Sequence, residues 1–209
     1  MMTGWGTVVG IEAQERIYYA LAGNIAINNC LNARVLHAAV GGVEGVIEVP
    51  DLDYTSPSSF GSLEIKQRSE GSEFIGQAVD YAAGPKTSVN LVTIDGLGFE
   101  RLDLIKLDVE GVEIEAIKGG RRLLAGDAVV ICEEHGSDKN HTLTRYLMEE
   151  TACRVFMLDP TTNKFEQVRD IAALDRIKVL SWVGYNVFAT ASRFWEDHLL
   201  SMMPLVATV

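Results

Sequence analysis

The sequence predicts a single α/β domain over residues 1–209 with an open, mostly parallel sheet, and three observations support this. Patterns typical of strands alternate with patterns typical of helices. Residues 128–135 form an almost unbroken apolar run, as in a strand buried on both faces of a parallel sheet. Residues 104–120 join a buried strand to an amphipathic helix through Asp108 and Glu110. Carboxyl ends of such strands face the ligand crevice, so we expect both carboxylates to meet a ligand.

Composition limits the classes of partner. The chain has 209 residues, is 47% apolar and carries a net charge of −11. Dispersed acidic residues repel phosphate backbones, so we expect no nucleic-acid partner. No apolar stretch approaches the roughly 20 residues that cross a bilayer, which predicts no membrane partner. Cys30, Cys132 and Cys153 lack paired spacing and are interpreted as free thiols of a reducing compartment, so we predict a cytoplasmic protein.

The first half of the chain begins with a short apolar strand over 7–13. Residues 14–30 follow as a helix with its apolar residues on one face. A second strand is predicted over 34–40, and glycines after it predict a tight connection to a hairpin partner over 46–51. Residues 51–87 are rich in Ser, Gly and Pro and predict a long irregular segment, typical of a functional lid.

The second half contains further strands and helices. The predicted strands are 89–95, 102–109, 128–135, 154–159 and 185–191, the last two as an antiparallel pair. The predicted helices are 111–125 and 139–150. Residues 164–183 are interpreted as a variable insertion.

An acidic residue at the end of the strand over 7–13 is a second candidate site. In an open α/β sheet a carboxylate in this position can accept both ribose hydroxyls of an adenosine, and Glu12 occupies it. Such a residue would also serve NAD, but the G-x-G-x-x-G loop of dinucleotide-binding proteins is absent. The alternative is a carboxylate that only stabilises a helix N-terminus, and the same alternative holds for Asp108 and Glu110.

The amino-acid sequence around the first site resembles that of one family. Asp-Val-Glu-Gly after Ile-Lys-Leu, with a helix ending in Lys-Gly-Gly, is similar to the signature of FkbM-type methyltransferases. Four further segments match in the same order: Asn24 with the following turn, Ala38 to Gly41, Thr93 to Asp95, and Gly184 to Phe188. The resemblance implies the Rossmann-like sheet of class I methyltransferases, mostly parallel with an antiparallel C-terminal strand pair, and S-adenosylmethionine as cofactor.

The chain departs from this family at its beginning. The family has a glycine-bearing first strand and loop, and neither is found here. The resemblance therefore implies a domain that lacks its N-terminal strand and helix. The missing strand would lie between the strands over 7–13 and 102–109. We expect the sequence as written to bind S-adenosylmethionine poorly or not at all, and an N-terminal extension with a strand, a glycine loop and a helix to restore binding.

The resemblance also assigns roles to residues on the cofactor side. It implies that Glu12, with Ala13 beside it, holds the ribose. Val40 and Gly41 would lie beside the adenine, and Asp108 would lie near the methionine end of the cofactor.

Residues on the acceptor side follow the strand over 128–135. A hydroxyl acceptor must lose a proton, and a strand-end histidine or carboxylate is a suitable base. His135 is the preferred catalytic candidate and Asp108 the second, while Glu134 matches a strand-end glutamate of the family. Glu110 is the candidate for contact with substrate. A strand-end histidine can also be a hydrogen-bonded structural residue, and the histidines show no metal-ligand spacing, so no metal is predicted.

We expect an O-methyltransferase that acts on a sugar-like or other small hydroxylated metabolite. A truncated or degenerate relative that serves as a binding or assembly module is the first alternative, which the missing glycine loop favours. A dehydrogenase is the second alternative, which the absent G-x-G-x-x-G loop argues against. The methyl acceptor and the oligomeric state, including a homo-oligomer, are left open by the sequence.

Overall fold

A computed structural model describes residues 6–67 and 74–202. In this part of the chain strands and helices alternate as predicted, and the fold is α/β. The strands are β1 (Val8–Glu12), β2 (Ala33–His37), β3 (Ala39–Val40), β4 (Gly45–Pro50), β5 (Lys86–Val92), β6 (Leu104–Leu107), β7 (Val129–His135), β8 (Arg154–Asp159), β9 (Lys164–Val168) and β10 (Gly184–Thr190). The α-helices are α1 (Glu15–Ile27), α2 (Glu113–Lys118), α3 (Arg121–Leu124), α4 (Thr142–Glu150), α5 (Leu174–Ile177) and α6 (Arg193–Ser201). Within the described ranges, no helix is long and apolar enough to cross a membrane.

The strands form three sheets, of which the two larger ones are mixed. Their orders are β1-β2, β3-β5-β4 and β6-β7-β10-β8-β9. The pairs β1/β2, β3/β5 and β6/β7 are parallel, whereas β4/β5, β7/β10, β8/β10 and β8/β9 are antiparallel. The expectation of a mostly parallel sheet was therefore wrong, because β4 and β9 pair in the antiparallel direction in addition to the C-terminal strand β10.

The predicted antiparallel C-terminal pair is confirmed. Val187 of β10 pairs with Met157 of β8 and, on its other side, with Cys132 of β7. The segment interpreted as a variable insertion contributes β9, which pairs with β8 as the second strand of a hairpin. It also contains α5, whose Leu174 and Ile177 are buried.

The predicted hairpin after Val40 is wrong. β4 pairs antiparallel with β5, with Val46 opposite Asn90, and not with the strand before it. The strand predicted over 34–40 is divided at Ala38 into β2, which pairs with β1, and β3, which pairs with β5. The glycines of the connection allow the chain to change sheets rather than to fold back on itself.

The long segment between β4 and β5 packs around a small apolar cluster. Its buried members are Val49, Leu52, Leu63, Ile75 and Val89. Burial of each such side chain contributes about 1.5–3 kcal/mol, which is enough to hold the described parts of this segment against the sheet. The middle of the predicted lid, residues 68–73, lies outside the described residues.

The helix predicted over 111–125 is divided into α2 and α3 at a pair of glycines. A Cβ atom at Gly119 would collide with the carbonyl oxygen of Gly41, so only glycine allows this close approach. Asp95 then caps the second helix, because its carboxylate accepts hydrogen bonds from the backbone N–H groups of Arg122 (2.9 Å) and Leu123 (3.0 Å).

The main core lies under β6, β7, β8 and β10 and fixes the strand ends that carry the candidate site. Its fully buried side chains include Ile117, Val130, Leu147, Val155, Met157 and Val187. Among the described strands, β1 pairs with β2 alone and β6 with β7 alone. The position of the missing family strand, expected between the edges of β1 and β6, stays a prediction.

Candidate functional site

A cleft of about 480 Å³ lies where β6 and β7 end and α2 begins. The two strands run parallel, so their carboxyl ends meet at the same edge of the sheet. Asp108, Glu110, Glu134 and His135, the four residues predicted for the acceptor side, all belong to its lining. The structure thus brings these predicted residues together; their roles stay predictions.

Successive residues of β7 point to opposite faces of the sheet. Glu133 and His135 are half-buried, whereas Glu134 between them is 3% exposed. Asp108 follows Leu107, which pairs with Cys132, so it lies level with Glu133. Its carboxylate also lies 3.2 Å from Nζ of Lys106. Asp108, Glu133 and His135 all line the cleft.

His135 is oriented by the turn that follows it. The backbone N–H of Ser137 donates to Nδ1 of His135 at 3.2 Å, and Oγ of Ser137 lies 2.6 Å from the same nitrogen. Nδ1 therefore carries the lone pair and the neutral ring carries its proton on Nε2. A proton that enters this imidazole reaches Nδ1, beside the Ser137 hydroxyl.

Glu134, although it belongs to the lining, points to the opposite face of the sheet and forms a buried ion pair. Its Oε2 atom lies 2.8 Å from Nζ of Lys178, and these side chains are 2% and 1% exposed, respectively. Its carboxylate also accepts hydrogen bonds from the backbone N–H of Thr144 (2.9 Å) and from its hydroxyl (3.0 Å). A nearly buried charge held by three donors is typical of a structural role; the catalytic role predicted for Glu134 stays a prediction.

His141 extends the buried ion pair toward the surface. Nζ of Lys178 lies 3.1 Å from Nδ1 of His141, and Nε2 of His141 lies 3.3 Å from Oδ1 of Asp175. A lysine ammonium can only donate, so Nδ1 accepts and Nε2–H donates to the carboxylate. The network fixes the segment before α4 against the segment before β10.

The Asp-Val-Glu-Gly turn has an unusual backbone. Glu110 has a φ of 47° and Gly111 a φ of 93°, both in the left-handed region that L side chains rarely adopt. The backbone N–H of Gly111 donates to both carboxylate oxygens of Glu113, at 3.2 and 3.1 Å. A non-glycine residue at positive φ costs free energy. Glu110 is therefore a candidate for a residue whose side chain has a functional role.

Asp138 caps the chain as it enters α4. Its carboxylate accepts hydrogen bonds from the backbone N–H groups of Thr142 (2.7 Å) and Asn140 (2.9 Å). Partial burial raises the pKa of Asp138, but these hydrogen bonds and the nearby Lys178 ammonium outweigh burial and hold the pKa below its usual value. Asp138 is therefore a charged member of the cleft wall at neutral pH.

The lining of the cleft is strongly acidic. It contains eight carboxylate residues: Glu64, Asp108, Glu110, Glu113, Glu115, Glu133, Glu134 and Asp138. In the part of the wall that the structure describes, no lysine or arginine is present. Trp182, which precedes β10, also lines the cleft and is 72% exposed.

The predicted cofactor residues Glu12 and Ala13 lie at the end of β1, outside this cleft lining. Oε1 of Glu12 accepts a hydrogen bond from the backbone N–H of Gln14 at 2.7 Å. The carbonyl oxygen of Ala13 lies 3.1 Å from Nε2 of His37. The Gln14 contact is the local helix-entry role that the sequence left open for Glu12. The ribose contact stays a prediction.

Val40 and Gly41, predicted beside the adenine, are buried under the junction of α2 and α3. Val40 is 9% exposed and belongs to the main core. Gly41 donates its N–H to the carbonyl oxygen of Val92 at 2.9 Å. Little side-chain surface is left here for an adenine, so contact would be made mainly by the backbone.

Several residues in the cleft lining or beneath it were not predicted from the sequence. Glu133 and Ser137 could have been found from strand alternation around His135 and from the turn after it. Lys178 and Trp182 carry no such signal, because they lie in the segment interpreted as a variable insertion. Among residues 6–67 and 74–202, no group of three or more His, Cys, Asp or Glu side chains could hold a metal ion.

Comparisons with known proteins agree with the resemblance in the sequence. Methyltransferase FkbM from Methylobacillus flagellatus has a similar solved structure, with 15% identity and a TM-score of 0.50. The match covers 88% of this chain and 36% of that protein, so this chain spans little more than a third of its length. At this identity the likeness shows the fold alone. No curated protein matches the chain.

A model of the methyltransferase FkbM domain matches residues 1–175. This match covers most of the chain, including both strand ends at the cleft. The chain therefore belongs to the FkbM methyltransferase domain family.

Proposed function

We propose that the chain takes part in S-adenosylmethionine-dependent O-methylation of a hydroxyl group on a small, sugar-like metabolite. Membership of the FkbM family supports methyl transfer in general. The observation that carries the rest is the convergence of Asp108 and His135 on one cleft at the ends of adjacent parallel strands. Such a cleft can hold an acceptor hydroxyl beside a base.

The cofactor would lie at the ends of β1 and β3. Glu12 has the chemistry that a ribose diol requires, since a carboxylate offers two acceptor oxygens. Val40 and Gly41 would meet the adenine through their backbone, and Asp108 would meet the methionine end. When bound, S-adenosylmethionine supplies an electrophilic methyl group.

The residues of the cleft contribute position and proton transfer. Holding the acceptor oxygen in line with the methyl carbon is the main contribution that a protein makes to such a displacement. The acceptor hydroxyl would give its proton to Nδ1 of His135 through the hydroxyl of Ser137, whose Oγ lies 2.6 Å from that nitrogen. Asp108 is the alternative base.

Calorimetric titration of the chain with S-adenosylmethionine and with NAD tests this proposal. We expect binding of S-adenosylmethionine alone, and production of S-adenosylhomocysteine when a hydroxylated acceptor is added. Because the sequence predicts weak binding, the titration should extend to millimolar ligand. Binding of NAD, or of neither compound, would reject the proposed function.

A further inference from the structure

The charges and the exposed tryptophan of the cleft indicate a class of acceptor. Glu113, Glu133 and Asp138 line the cleft together with Trp182, and its described wall contains no lysine or arginine. We propose that the acceptor carries a positive charge, as an amino sugar or a comparable hydroxylated amine does. This inference rests on the proposed function and narrows its substrate.

Three lysines near the cleft are already engaged. Lys178 lies beneath it, bound to Glu134 at 2.8 Å and buried. Lys106 and Lys118 form ion pairs with acidic residues of the lining, at 3.2 and 3.5 Å, and none of the three lysines belongs to the lining. In the part of the wall that the structure describes, a phosphorylated or carboxylated acceptor would therefore meet mainly like charge, which disfavours its binding.

The backbone turn at the cleft is equally unsuited to an anion. N–H groups where a strand turns into a helix often bind phosphate. Here the N–H of Gly111 already donates to the carboxylate of Glu113, at 3.1 and 3.2 Å. The carboxylate of Glu113 thus occupies a backbone donor that an anionic ligand could otherwise use.

The segment that carries Trp182 is held in place beside the cleft. The N–H of Gly136 donates to the carbonyl oxygen of Val183 at 2.9 Å, and a side chain at position 136 would collide with the carbonyl oxygen of Leu180. The N–H of Leu180 donates to the hydroxyl of Tyr185 at 2.8 Å. The exposed indole of Trp182 lines the same cleft as the carboxylates, and an indole ring face attracts cations such as an ammonium group.

Fluorescence titration of the full chain can test the sign of the acceptor charge. The probes are D-glucosamine, D-glucose and D-glucose 6-phosphate, at low ionic strength where charge effects are largest. We expect glucosamine to quench the tryptophan fluorescence at about tenfold lower concentration than glucose, and glucose 6-phosphate to have no effect. The Trp182→Phe variant should lose the glucosamine signal.

Two matched variants locate the charge effect. Glu133→Gln should weaken glucosamine binding up to about fivefold, the range for an exposed ion pair, without a change for glucose. Glu149→Gln, on the exposed face of α4 and paired with Arg145, should change neither. Equal or tighter binding of glucose 6-phosphate, or no binding of glucosamine, would overturn the inference.

A separate titration with S-adenosylmethionine distinguishes this inference from the proposed function. If S-adenosylmethionine binds while the cleft shows no preference for the amine, the acceptor class is wrong and methyl transfer stands. If the amine is preferred but S-adenosylmethionine does not bind, the charge selectivity stands and the proposed function fails.

Discussion

Nζ of Lys178 lies 2.8 Å from Oε2 of Glu134, and both side chains are almost completely buried. Removing these charges from water costs several kcal/mol for each ion, which the ion pair and its additional hydrogen bonds must offset. Thr144 and His141 supply those hydrogen bonds. The pair joins the end of β7 to the segment before β10, and these two segments carry His135 and Trp182.

Substitution of one partner should therefore be far more harmful than substitution of both. Lys178→Met leaves Glu134 buried without its cation and should lower the free energy of unfolding by about 3–5 kcal/mol. The double variant Lys178→Met with Glu134→Gln should lose less, as urea unfolding can measure. Lys164→Met, at an exposed position on β9, is the control. A double variant less stable than the single one would show that the ion pair is not the relevant interaction.

The positive φ of Glu110 predicts an unusual stability effect. A residue in the left-handed region costs about 1–2 kcal/mol unless it is glycine, whereas a carboxylate near a helix N-terminus contributes only about 0.3–1 kcal/mol. Glu110→Gly should therefore leave the stability unchanged or raise it by about 1 kcal/mol in thermal unfolding. Glu110→Ala keeps the strain and is the matched comparison. A clear loss of stability in the glycine variant would favour the structural alternative for this carboxylate.

Asp138 should make stability depend on acid pH. Its pKa is lowered in the folded state, so its contribution is complete above its unfolded pKa of about 3.9 and is lost as the pH falls through the folded value. At pH 7 Asp138→Ala should cost about 0.5–2 kcal/mol through loss of the helix cap. The difference from the wild type should shrink below about pH 4 in urea unfolding. A difference independent of pH would exclude the ionised carboxylate as its source.

The strands and helices could be predicted because each has its own periodic pattern, but their partners could not. Glycines around position 42 predict a turn, yet the partner of β4 is β5, which lies about 40 residues further along the chain. Competition between a near strand and a distant one is decided by packing in the folded chain. The break between α2 and α3 likewise depends on the close approach of Gly41 to Gly119.

The candidate site likewise contains residues that could be predicted from the sequence and residues that could not. The strand-end residues Asp108 and His135 could be predicted, because ligands bind at the carboxyl ends of parallel strands. Side chains alternate between the two faces of the sheet along β7, so Glu134 points away from the face that carries His135. Strict use of this alternation predicts Glu133, rather than Glu134, on the same face as His135. Lys178 could not be predicted, because only the folded chain brings it under the cleft.

Glu12 provides a test of the cofactor side. If its carboxylate holds a ribose, Glu12→Ala should weaken binding of S-adenosylmethionine by about 1.5–3 kcal/mol, the range for hydrogen bonds to a charged group. Glu12→Gln retains an acceptor for the backbone N–H of Gln14 and separates the local hydrogen bond from cofactor binding; we expect a smaller loss. Unchanged affinity of a folded alanine variant in calorimetry would remove Glu12 from the site.

The last prediction concerns His135 and Ser137. If Nδ1 of His135 receives the acceptor proton through the Ser137 hydroxyl, His135→Ala should lower turnover by about 10²-fold or more without weakening cofactor binding. Ser137→Ala removes the hydroxyl but retains the backbone N–H that orients the ring, so it should lower turnover by a smaller factor. Production of S-adenosylhomocysteine with a methylated acceptor gives turnover, and calorimetry gives affinity. Equal losses of turnover and affinity in the His135 variant would indicate a structural histidine, and full activity of the Ser137 variant would exclude the relay.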